Sequence, residues 1–436
     1  MKKLVLSSIA LVLALAGCGG PHDDALVFAV GGTPSELRVW QEIVAEFEAE
    51  TGIPVRIRRQ PPDSTQQLQT LIVSLGSGQS DPDVFMMDVA WVGLFTASGW
   101  CHPIENVETD AFFERVLDLV DRHEGVLMAL PVYMDGGLLY YRTDLLEKYG
   151  YDGPPQTYDE LIEMCLTVQE GERTENPSFF GYVWQGAQYE GLVCNFLEFA
   201  GKEGGFLAPS GPEPRPIMLD RPINREALQL MRDLIWEYKI SPPSTYTEMR
   251  EEEARMFFQE GDALFQRNWP YAWSDHQSEG SPVRGKVGVA RLPAMEAGQD
   301  VSTLGGWHIG ISAFSNKQEE AQQFVAYVTS KDTLKKMVLE LGWNPGRTDL
   351  YDDEDILERA PHFPQLREIF EHAKPRPLVP YYNQLSSIAQ QRLSACLANR
   401  VSPEEALAIA QEEIETLVRT YGDTERLPEH ARAAAE

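Results

Sequence analysis

Three short segments, each predicted to be a loop, combine aromatic side chains with glycine or proline, and their residues are well suited to contact a ligand. They read Asn268-Trp269-Pro270-Tyr271-Ala272-Trp273, Gly305-Gly306-Trp307-His308 and Pro131-Val132-Tyr133-Met134-Asp135-Gly136-Gly137. Aromatic rings offer stiff apolar area, carboxylates and arginine hydrogen-bond hydroxyl groups, and glycine lets the backbone approach closely. A pyranose presents C–H faces ringed by hydroxyls, so these segments favour a sugar as the ligand.

Each single candidate residue also has a purely structural interpretation. A tryptophan in a loop packs into the core at least as often as it contacts a ligand. Asp88 ends a strand, where an acid commonly caps the next helix, and Glu36 completes a capping box. Arg376 has the sequence context of a charge in a surface loop. Trp40 and Trp236 fall on apolar helix faces and are expected in the core.

The first hundred residues alternate between strand and helix patterns. The predicted strands lie at 26–30, 55–57 and 83–88, and helices follow Thr33 and span 66–75. This order predicts a parallel sheet with helices on both faces, in which ligands bind beyond the carboxyl ends of the strands. Glu36 and Asp88 are therefore expected near one mouth.

The second half of the chain repeats this mixture of helices and strands. Helices are predicted at 225–238, 248–259, 317–329 and 403–420, and strands at 263–265 and 287–290. About 419 residues follow the first seventeen, which is too many for one hydrophobic core. Two α/β lobes joined by short crossings are the predicted architecture.

The N-terminus has the pattern of an export signal. Met1-Lys2-Lys3 precedes an apolar run from Leu4 to Ala16, which is shorter than the roughly 20 residues that span a bilayer. The run ends in Leu15-Ala16-Gly17-Cys18, which resembles the bacterial lipobox and implies a lipid on Cys18. The alternative is an ordinary signal peptide with a cysteine by chance.

Composition and motifs disfavour several classes of function. The formal net charge of −30 disfavours nucleic acid as a partner. The sequence contains no common catalytic motif and no histidine pair at metal-ligand spacing, so neither a cofactor nor a metal is expected. Disulfides and buried free thiols remain equally open for the remaining cysteines, which are Cys101, Cys165, Cys194 and Cys396.

Taken together, stretches along the whole mature chain resemble a known family. They cover residues 83–100, 131–145, 261–273, 304–312, 316–327 and 376–381. The mature chain resembles the extracellular solute-binding proteins (family 1) of sugar ABC importers, within the maltose/trehalose-binding branch. The resemblance implies an α/β, two-lobed periplasmic-binding-protein-like fold that closes on a ligand in the cleft between the lobes.

The N-terminal pattern predicts residues 1–17 as the lipoprotein signal peptide, and the polar composition that follows predicts 18–24 as a tether. The resemblance implies how the rest of the chain is divided. The first lobe would take 25–133 and 309–345, and the second lobe 136–305 and 346–436.

The same resemblance implies which residues contact the ligand. These are Glu36, Asp88, Tyr133, Asp135, Trp269, Tyr271, Gly306, Trp307 and Arg376. Tyr133 and Asp135 would lie at the first crossing between the lobes, Gly306 and Trp307 at the second. His308 fits the trehalose-binding members of the branch.

The sequence therefore predicts a lipid-anchored, monomeric solute-binding protein outside the cytoplasm, in the periplasm or at the outer cell surface. It would capture a glucose-containing disaccharide such as trehalose or maltose, without catalysis or cofactor, and deliver it to the permease subunits of an ABC importer. A first competing function is an exported glycosidase or lyase, which would need a pair of carboxylates in the cleft. A second is a binder of peptides, polyamines or metal chelates, and a third is a receptor that signals to a membrane kinase.

Overall fold

The computed structural model describes residues 24–61, 64–206 and 216–422. The predicted signal peptide (1–17), Cys18 and all but the last residue of the predicted tether lie outside the described residues. No helix in the described part of the chain combines the length and apolar character needed to cross a bilayer.

The strands are short, and most lie in two separate sheets. They are β1 Leu26–Val30, β2 Val55–Arg59, β3 Val84–Asp88, β4 Cys101–His102, β5 Arg122–His123, β6 Val126–Leu127, β7 Leu130–Gly136, β8 Leu138–Arg142, β9 Phe180–Val183, β10 Ala263–Asn268, β11 Val287–Ala290, β12 Leu304–Ser312 and β13 Asn344–Pro345.

Helices pack around the sheets and build the C-terminal part of the described chain. They are α1 Pro34–Thr51, α2 Ser64–Gly76, α3 Val92–Ala97, α4 Glu114–Val116, α5 Thr143–Tyr149, α6 Tyr158–Glu172, α7 Glu190–Phe199, α8 Pro222–Trp236, α9 Ser244–Thr247, α10 Glu251–Gln259, α11 Ala272–His276, α12 Gln318–Val328, α13 Lys331–Leu341, α14 Glu354–Arg359, α15 Phe363–His372, α16 Tyr382–Leu397 and α17 Pro403–Gly422.

The larger sheet has the strand order β13-β7-β12-β3-β1-β2, with β4 beside β12. β1 pairs in parallel with β2 and β3, as predicted for the first hundred residues. β12, however, runs antiparallel between β3 and β7, so the complete sheet is mixed. The core is aromatic where α1 covers β1: Trp40 is buried, as expected, with its ring centroid 5.0 Å from that of Phe28.

The smaller sheet has the order β11-β8-β10-β9. Its central strand β10 runs antiparallel to β8 and parallel to β9. The chain passes from the larger sheet to the smaller one at Gly137, between β7 and β8, and returns at Ser302 and Thr303, just before β12. A third connection runs through Lys374, which forms an isolated parallel bridge with Thr303.

Several expectations about elements are wrong in detail. Trp236 is 37% exposed rather than in the core, because its indole lies at the end of α8 and donates a hydrogen bond to the Leu397 carbonyl (2.8 Å). The helix expected at 248–259 begins at Glu251, after a separate turn, Ser244–Thr247. Tyr133 and Trp307 lie within strands rather than in loops.

The four described cysteines are free and buried, so the buried-thiol alternative holds for them. Burial raises the pKa of the Cys101 thiol to about 12, which keeps this side chain a neutral, unreactive group near neutral pH. Within the described residues, no group of three or more His, Cys, Asp or Glu side chains is placed to hold a metal ion.

Candidate functional site

Three of the candidate residues stand side by side on neighbouring strands. Trp307 of β12 pairs with Asp88 of β3 on one side and with Tyr133 of β7 on the other. Residues directly opposite each other on antiparallel strands point to the same face of a sheet. The register of this mixed sheet thus brings an indole, a phenol and a carboxylate to the same face, at the edge of the sheet where β3 ends.

Gly306, beside Trp307, has a backbone role at this edge. Its φ of +121° lies in a region that side chains disfavour, and an added Cβ would lie 2.4 Å from the Tyr133 carbonyl oxygen. A glycine at this position therefore allows β12 and β7 to approach closely.

A small recess opens beside Tyr133. We use "small recess" for the space of about 170 Å³ lined by Val30, Gly31, Gly32, Glu36, Trp40, Gln67, Met86, Tyr133, Trp307 and Trp343. The rings of Tyr133 and Trp343 lie 4.1 Å apart between centroids. The Glu36 carboxylate lines the recess and also accepts a 2.6 Å hydrogen bond from the Thr33 amide, so its capping role is present as well.

A much larger cavity opens beside Asp88. We use "large cavity" for the space of about 850 Å³ between α2, the Asp88–Trp100 segment, the start of α7, Arg376, Tyr381, α16 and α17. Its walls include Leu68, Gln69, Ile72, Asp88, Trp91, Leu94, Trp100, Glu190, Arg376, Tyr381, Tyr382, Asn383, Gln384, Ser386, Ser387, Gln390 and Tyr421. The edge-to-face pair of Trp91 and Trp307, with centroids 5.3 Å apart, joins the walls of the two spaces.

Arg376 joins two carboxylates from distant parts of the chain. Its Nη2 donates to Asp88 Oδ1 (2.8 Å) and its Nη1 to Glu190 Oε1 (2.9 Å). Burial opposes its charge, but the Asp88 carboxylate raises the pKa of Arg376 well above its usual value, so the guanidinium remains charged. The interpretation of Arg376 as a surface-loop charge is therefore wrong: the side chain is buried in the cavity wall.

Asp88 serves two partners at once. Besides Arg376, its Oδ1 accepts a 2.8 Å hydrogen bond from the Ala90 amide and caps the short turn Val89–Trp91. The capping role expected from its position is thus present, and the same carboxylate faces the large cavity.

Glu190 is a residue of this site that the sequence analysis missed. It lies in the first turn of α7, and its carboxylate accepts hydrogen bonds from the hydroxyls of Tyr382 and Ser386 on α16. The sequence does contain a signal for this residue. Glu190 directly follows an aromatic and glycine-containing segment after β9, Trp184-Gln185-Gly186-Ala187-Gln188-Tyr189. This is the same pattern that singled out Trp269.

Trp269 lies over a buried ion pair. The guanidinium carbon of Arg267 is 3.8 Å from the centroid of the Trp269 ring, within cation–π distance. Arg267 donates to both carboxylate oxygens of Glu198, from Nε at 2.8 Å and from Nη2 at 2.6 Å. The indole Nε1 donates a hydrogen bond to the Glu251 carboxylate (3.3 Å). The ring is therefore held by Arg267 on one face and by Glu251 at its edge.

The Glu198–Arg267 pair also contacts both crossings between the sheets. Glu198 Oε1 accepts a hydrogen bond from the Thr303 amide (3.1 Å), and a Cβ on Gly137 would lie 2.1 Å from the same oxygen. Ser302 donates to the Gly137 carbonyl (2.7 Å), which joins the two crossings to each other. Helix α7 thus carries Glu190 at the large cavity and Glu198 at the crossings.

Asp135, Trp269, Tyr271 and Gly306 line neither space. Burial, followed by the negative charge of Asp88, raises the pKa of Asp135 to about 7, while Arg267 acts to lower it. Asp135 and the Trp269 ring both flank Gly305, whose added Cβ would lie 3.1 Å and 3.3 Å from them. The Tyr271 hydroxyl donates a hydrogen bond to the Glu252 carboxylate (2.7 Å).

His308 does not belong to the site. Its side chain on β12 is fully buried, and its Nδ1 is paired with the Asp121 carboxylate, which is also fully buried. The imidazole therefore lines neither the small recess nor the large cavity.

Comparisons with known proteins identify relatives along most of the chain. Residues 31–335 match the family described as bacterial extracellular solute-binding protein. A probable ABC transporter-binding protein of Deinococcus radiodurans is 37% identical and covers 93% of this chain and 96% of its own. A maltotriose-binding protein of Pyrococcus abyssi is 25% identical over 74% of this chain and 66% of its own.

Solved structures match as well. Maltose-bound T. maritima MalE3 is 38% identical, with a TM-score of 0.82 over 90% of this chain and 99% of its own. A solute-binding protein of Thermotoga lettingae, bound with α-D-tagatose, is 27% identical, with a TM-score of 0.79 over 91% of this chain and 100% of its own. The predicted two-lobed periplasmic-binding-protein-like fold is confirmed.

Proposed function

The chain belongs to the bacterial extracellular solute-binding proteins of ABC transporters, and on this basis we propose that it captures a sugar and delivers it to the permease of an importer. The family consists of binding proteins rather than enzymes, which agrees with the prediction of binding without catalysis. Membership also implies a location outside the cytoplasm. The glycosidase or lyase alternative is set aside for the same reason.

The observation that carries the sugar proposal is the pairing of aromatic rings with shared carboxylates around one cleft. Tyr133, Trp307 and Trp343 line the small recess, while Asp88 and Arg376 form a hydrogen-bonded pair in the wall of the large cavity. Rings suit the C–H faces of a sugar, and charged hydrogen-bonding groups suit its hydroxyls. Relatives whose names or structures include maltose, maltotriose and tagatose support this chemistry.

We propose a glucose-containing disaccharide, such as maltose or trehalose, as the ligand of the cleft. Trp269 would stack on a sugar ring, Asp135 and Glu36 would accept hydroxyl hydrogen bonds, and Tyr271 would bound the ring through its aromatic face. Asp88 and Arg376 would orient the sugar hydroxyls. Gly306, which has no side chain, would let the backbone approach the sugar closely. The proposal includes a monomer tethered to the membrane by a lipid on Cys18.

A thermal-shift screen tests the proposal. Maltose, trehalose, sucrose, glucose, a dipeptide and spermidine are each added to the protein. At about 100 times its dissociation constant, a specific ligand stabilises the folded state by roughly 2.7 kcal/mol and raises the melting temperature. We expect a disaccharide to give the largest shift. A shift with the dipeptide or spermidine alone, or release of monosaccharides from a disaccharide, would contradict the proposal.

The variant Trp269→Ala then tests the stacking role. We expect its affinity for the identified sugar to fall about tenfold, which corresponds to the loss of roughly 1.4 kcal/mol of aromatic contact. Trp236→Ala is the matched control, because that indole is partly exposed and bonded to Leu397. Unchanged affinity in Trp269→Ala would remove this residue from the site.

A further inference from the structure

We propose that the buried pair of Asp121 and His308 is a positioning element of the sugar site. The pair holds the irregular pairing of β7 with β12 and so sets which side chains of these strands face the small recess. This role rests on the proposed sugar-binding function, because the recess is then part of the ligand site. Neither residue lines the small recess or the large cavity, so both act through the strands.

The pairing of β7 with β12 changes register at one point. His308 of β12 lies opposite Pro131 of β7. The preceding residue, Trp307, lies opposite Tyr133 rather than Val132, so β7 carries one extra residue here. A bulge of this kind shifts a strand by one position, and such a shift exchanges the two faces of the strand. The bulge therefore places Tyr133 at the small recess, while Val132 is buried.

His308 lies directly at this bulge and is held from the other face of the sheet. Successive side chains of a strand point to opposite faces. Trp307 lines the small recess, whereas His308 Nδ1 lies 2.5 Å from Asp121 Oδ1. Both side chains of the pair are 0% exposed. The hydrogen bond therefore fixes β12 from the side that is turned away from the recess.

Asp121 also reaches the start of β7. It ends a π-helical turn, Leu117–Asp121, a rare geometry that is often found at functional sites. Its backbone carbonyl accepts a 2.8 Å hydrogen bond from the amide of Met128, two residues before β7 begins. Its carboxylate holds His308 of β12 at the same time. One residue thus ties the approach to β7 to the bulged position of β12.

The pair is a costly choice for the core of a sheet. Asp121 Oδ2 and His308 Nε2 have no hydrogen-bond partner within the described part of the chain. Burial raises the pKa of the Asp121 carboxyl, and the His308 imidazole acts in the opposite direction. Well-packed apolar side chains are often at least as stabilising as a buried polar pair. We therefore expect the benefit of this pair in strand geometry, because its hydrogen bond forms in a single register.

The test is an apolar double variant, Asp121→Val with His308→Met, which removes the hydrogen bond without leaving one partner buried alone. We expect its unfolding midpoint in urea to stay close to that of the wild type. Isothermal titration should show that its affinities for maltose and trehalose fall about tenfold, the upper range of one aromatic contact. In protein labelled with fluorotryptophan, the fluorine NMR resonance of Trp307, assigned with Trp307→Phe, should shift.

Asp121→Asn is the conservative variant. Its side-chain carbonyl can still accept a hydrogen bond from His308 Nδ1, so the register of β12 should be kept. We expect wild-type sugar affinities and a wild-type Trp307 resonance.

Asp83→Ala is the matched control. Asp83 is a buried carboxylate of the same lobe, directly before β3 and at the other end of that strand from Asp88. It accepts hydrogen bonds from the Val27 amide and the Ser315 hydroxyl, both of 2.7 Å. Its loss should lower the urea midpoint and leave both sugar affinities and the Trp307 resonance unchanged.

Wild-type affinities with an unmoved Trp307 resonance in the double variant would overturn the positioning role alone. An equal loss of affinity in Asp83→Ala would do the same, as would a double variant that fails to fold, because the pair would then serve stability. If the wild type binds no sugar in the thermal screen, the proposed function fails. The Trp307 resonance still decides in that case whether the pair positions the recess.

Discussion

Two buried arginines, Arg267 and Arg376, lie at the cleft, and their surroundings differ. In the Arg267–Glu198 pair the two side chains are 1% and 2% exposed. In the other cluster Arg376 is 4% exposed, but Asp88 and Glu190 are 18% and 28% exposed. One ion pair is closed off from solvent and lies behind an aromatic ring, and the other opens onto a cavity.

Under the proposed function, this difference separates a residue that positions a ligand contact, Arg267, from one that would contact the ligand, Arg376. A sealed ion pair must satisfy its own charges, since neither solvent nor ligand reaches it. Glu198 does so for Arg267, which in turn supports the Trp269 ring. The carboxylates around Arg376 retain accessible surface and can accept further hydrogen bonds, as a ligand with many hydroxyls requires.

The largest effect is expected for Glu198→Ala, measured as the free energy of unfolding in urea. The change leaves the Arg267 charge buried without its partner and should cost about 3–5 kcal/mol. Glu413→Ala is the matched control, since Glu413 also lies on a helix and pairs with an arginine, Arg392, with both side chains about a third exposed. It should cost about 1 kcal/mol or less. Similar losses in the two variants would remove the distinction between sealed and open pairs.

A smaller effect, seen in sugar affinity rather than stability, is expected for Arg376→Lys. Lysine keeps the charge but loses the planar fork that reaches Asp88 and Glu190 together. We expect an affinity loss of roughly 1.5–3 kcal/mol, the usual range for a hydrogen bond with a charged group. Arg367→Lys, at an exposed arginine, should bind normally. If Arg376→Lys lost stability as Glu198→Ala does and kept its affinity, both arginines would be structural.

The smallest effect is expected from Asp135, whose pKa responds to Asp88 and to Arg267. Its pKa of about 7 lies above the unfolded value near 3.9, so its contribution to folding stability falls as the pH rises from about 4 to 7. Sugar hydroxyls donate to the ionised carboxylate, so affinity should rise by up to about tenfold between pH 6 and 8. Asp135→Asn should flatten this profile. The same pH dependence in that variant would assign the titration to another group.

Local sequence predicted the elements that position the cleft better than the contacts within it. The Thr33–Glu36 capping box and the strand that ends at Asp88 follow from short-range rules, and both are present. The antiparallel insertion of β12 between β3 and β7 was not predictable from periodicity, because it pairs residues more than a hundred positions apart. That insertion aligns Trp307 with Tyr133 and Asp88.

Arg376 shows why side-chain environments were harder to predict than elements. Its sequence neighbours, two prolines and a lysine, suggest an exposed loop, but its carboxylate partners are 186 and 288 positions away along the chain. Glu190 escaped notice for the same reason, since its partners Tyr382 and Ser386 belong to α16. Only the resemblance to a family pointed to Arg376, and the only local signal for Glu190 was the aromatic segment that precedes it.

Helix α7 has a mechanical consequence, because it carries the acid of each arginine cluster. Glu190 and Glu198 are separated by eight residues, or about 12 Å of helix rise. Beyond the end of the helix, the Lys374 ammonium of the third crossing donates to the Gly204 carbonyl. The segment is therefore held by hydrogen bonds at both ends. We expect that a sugar bound at Glu190 would restrict the motion of α7. Because Glu198 on the same helix holds Arg267 beneath the Trp269 ring, the position of that ring would become more rigid as well.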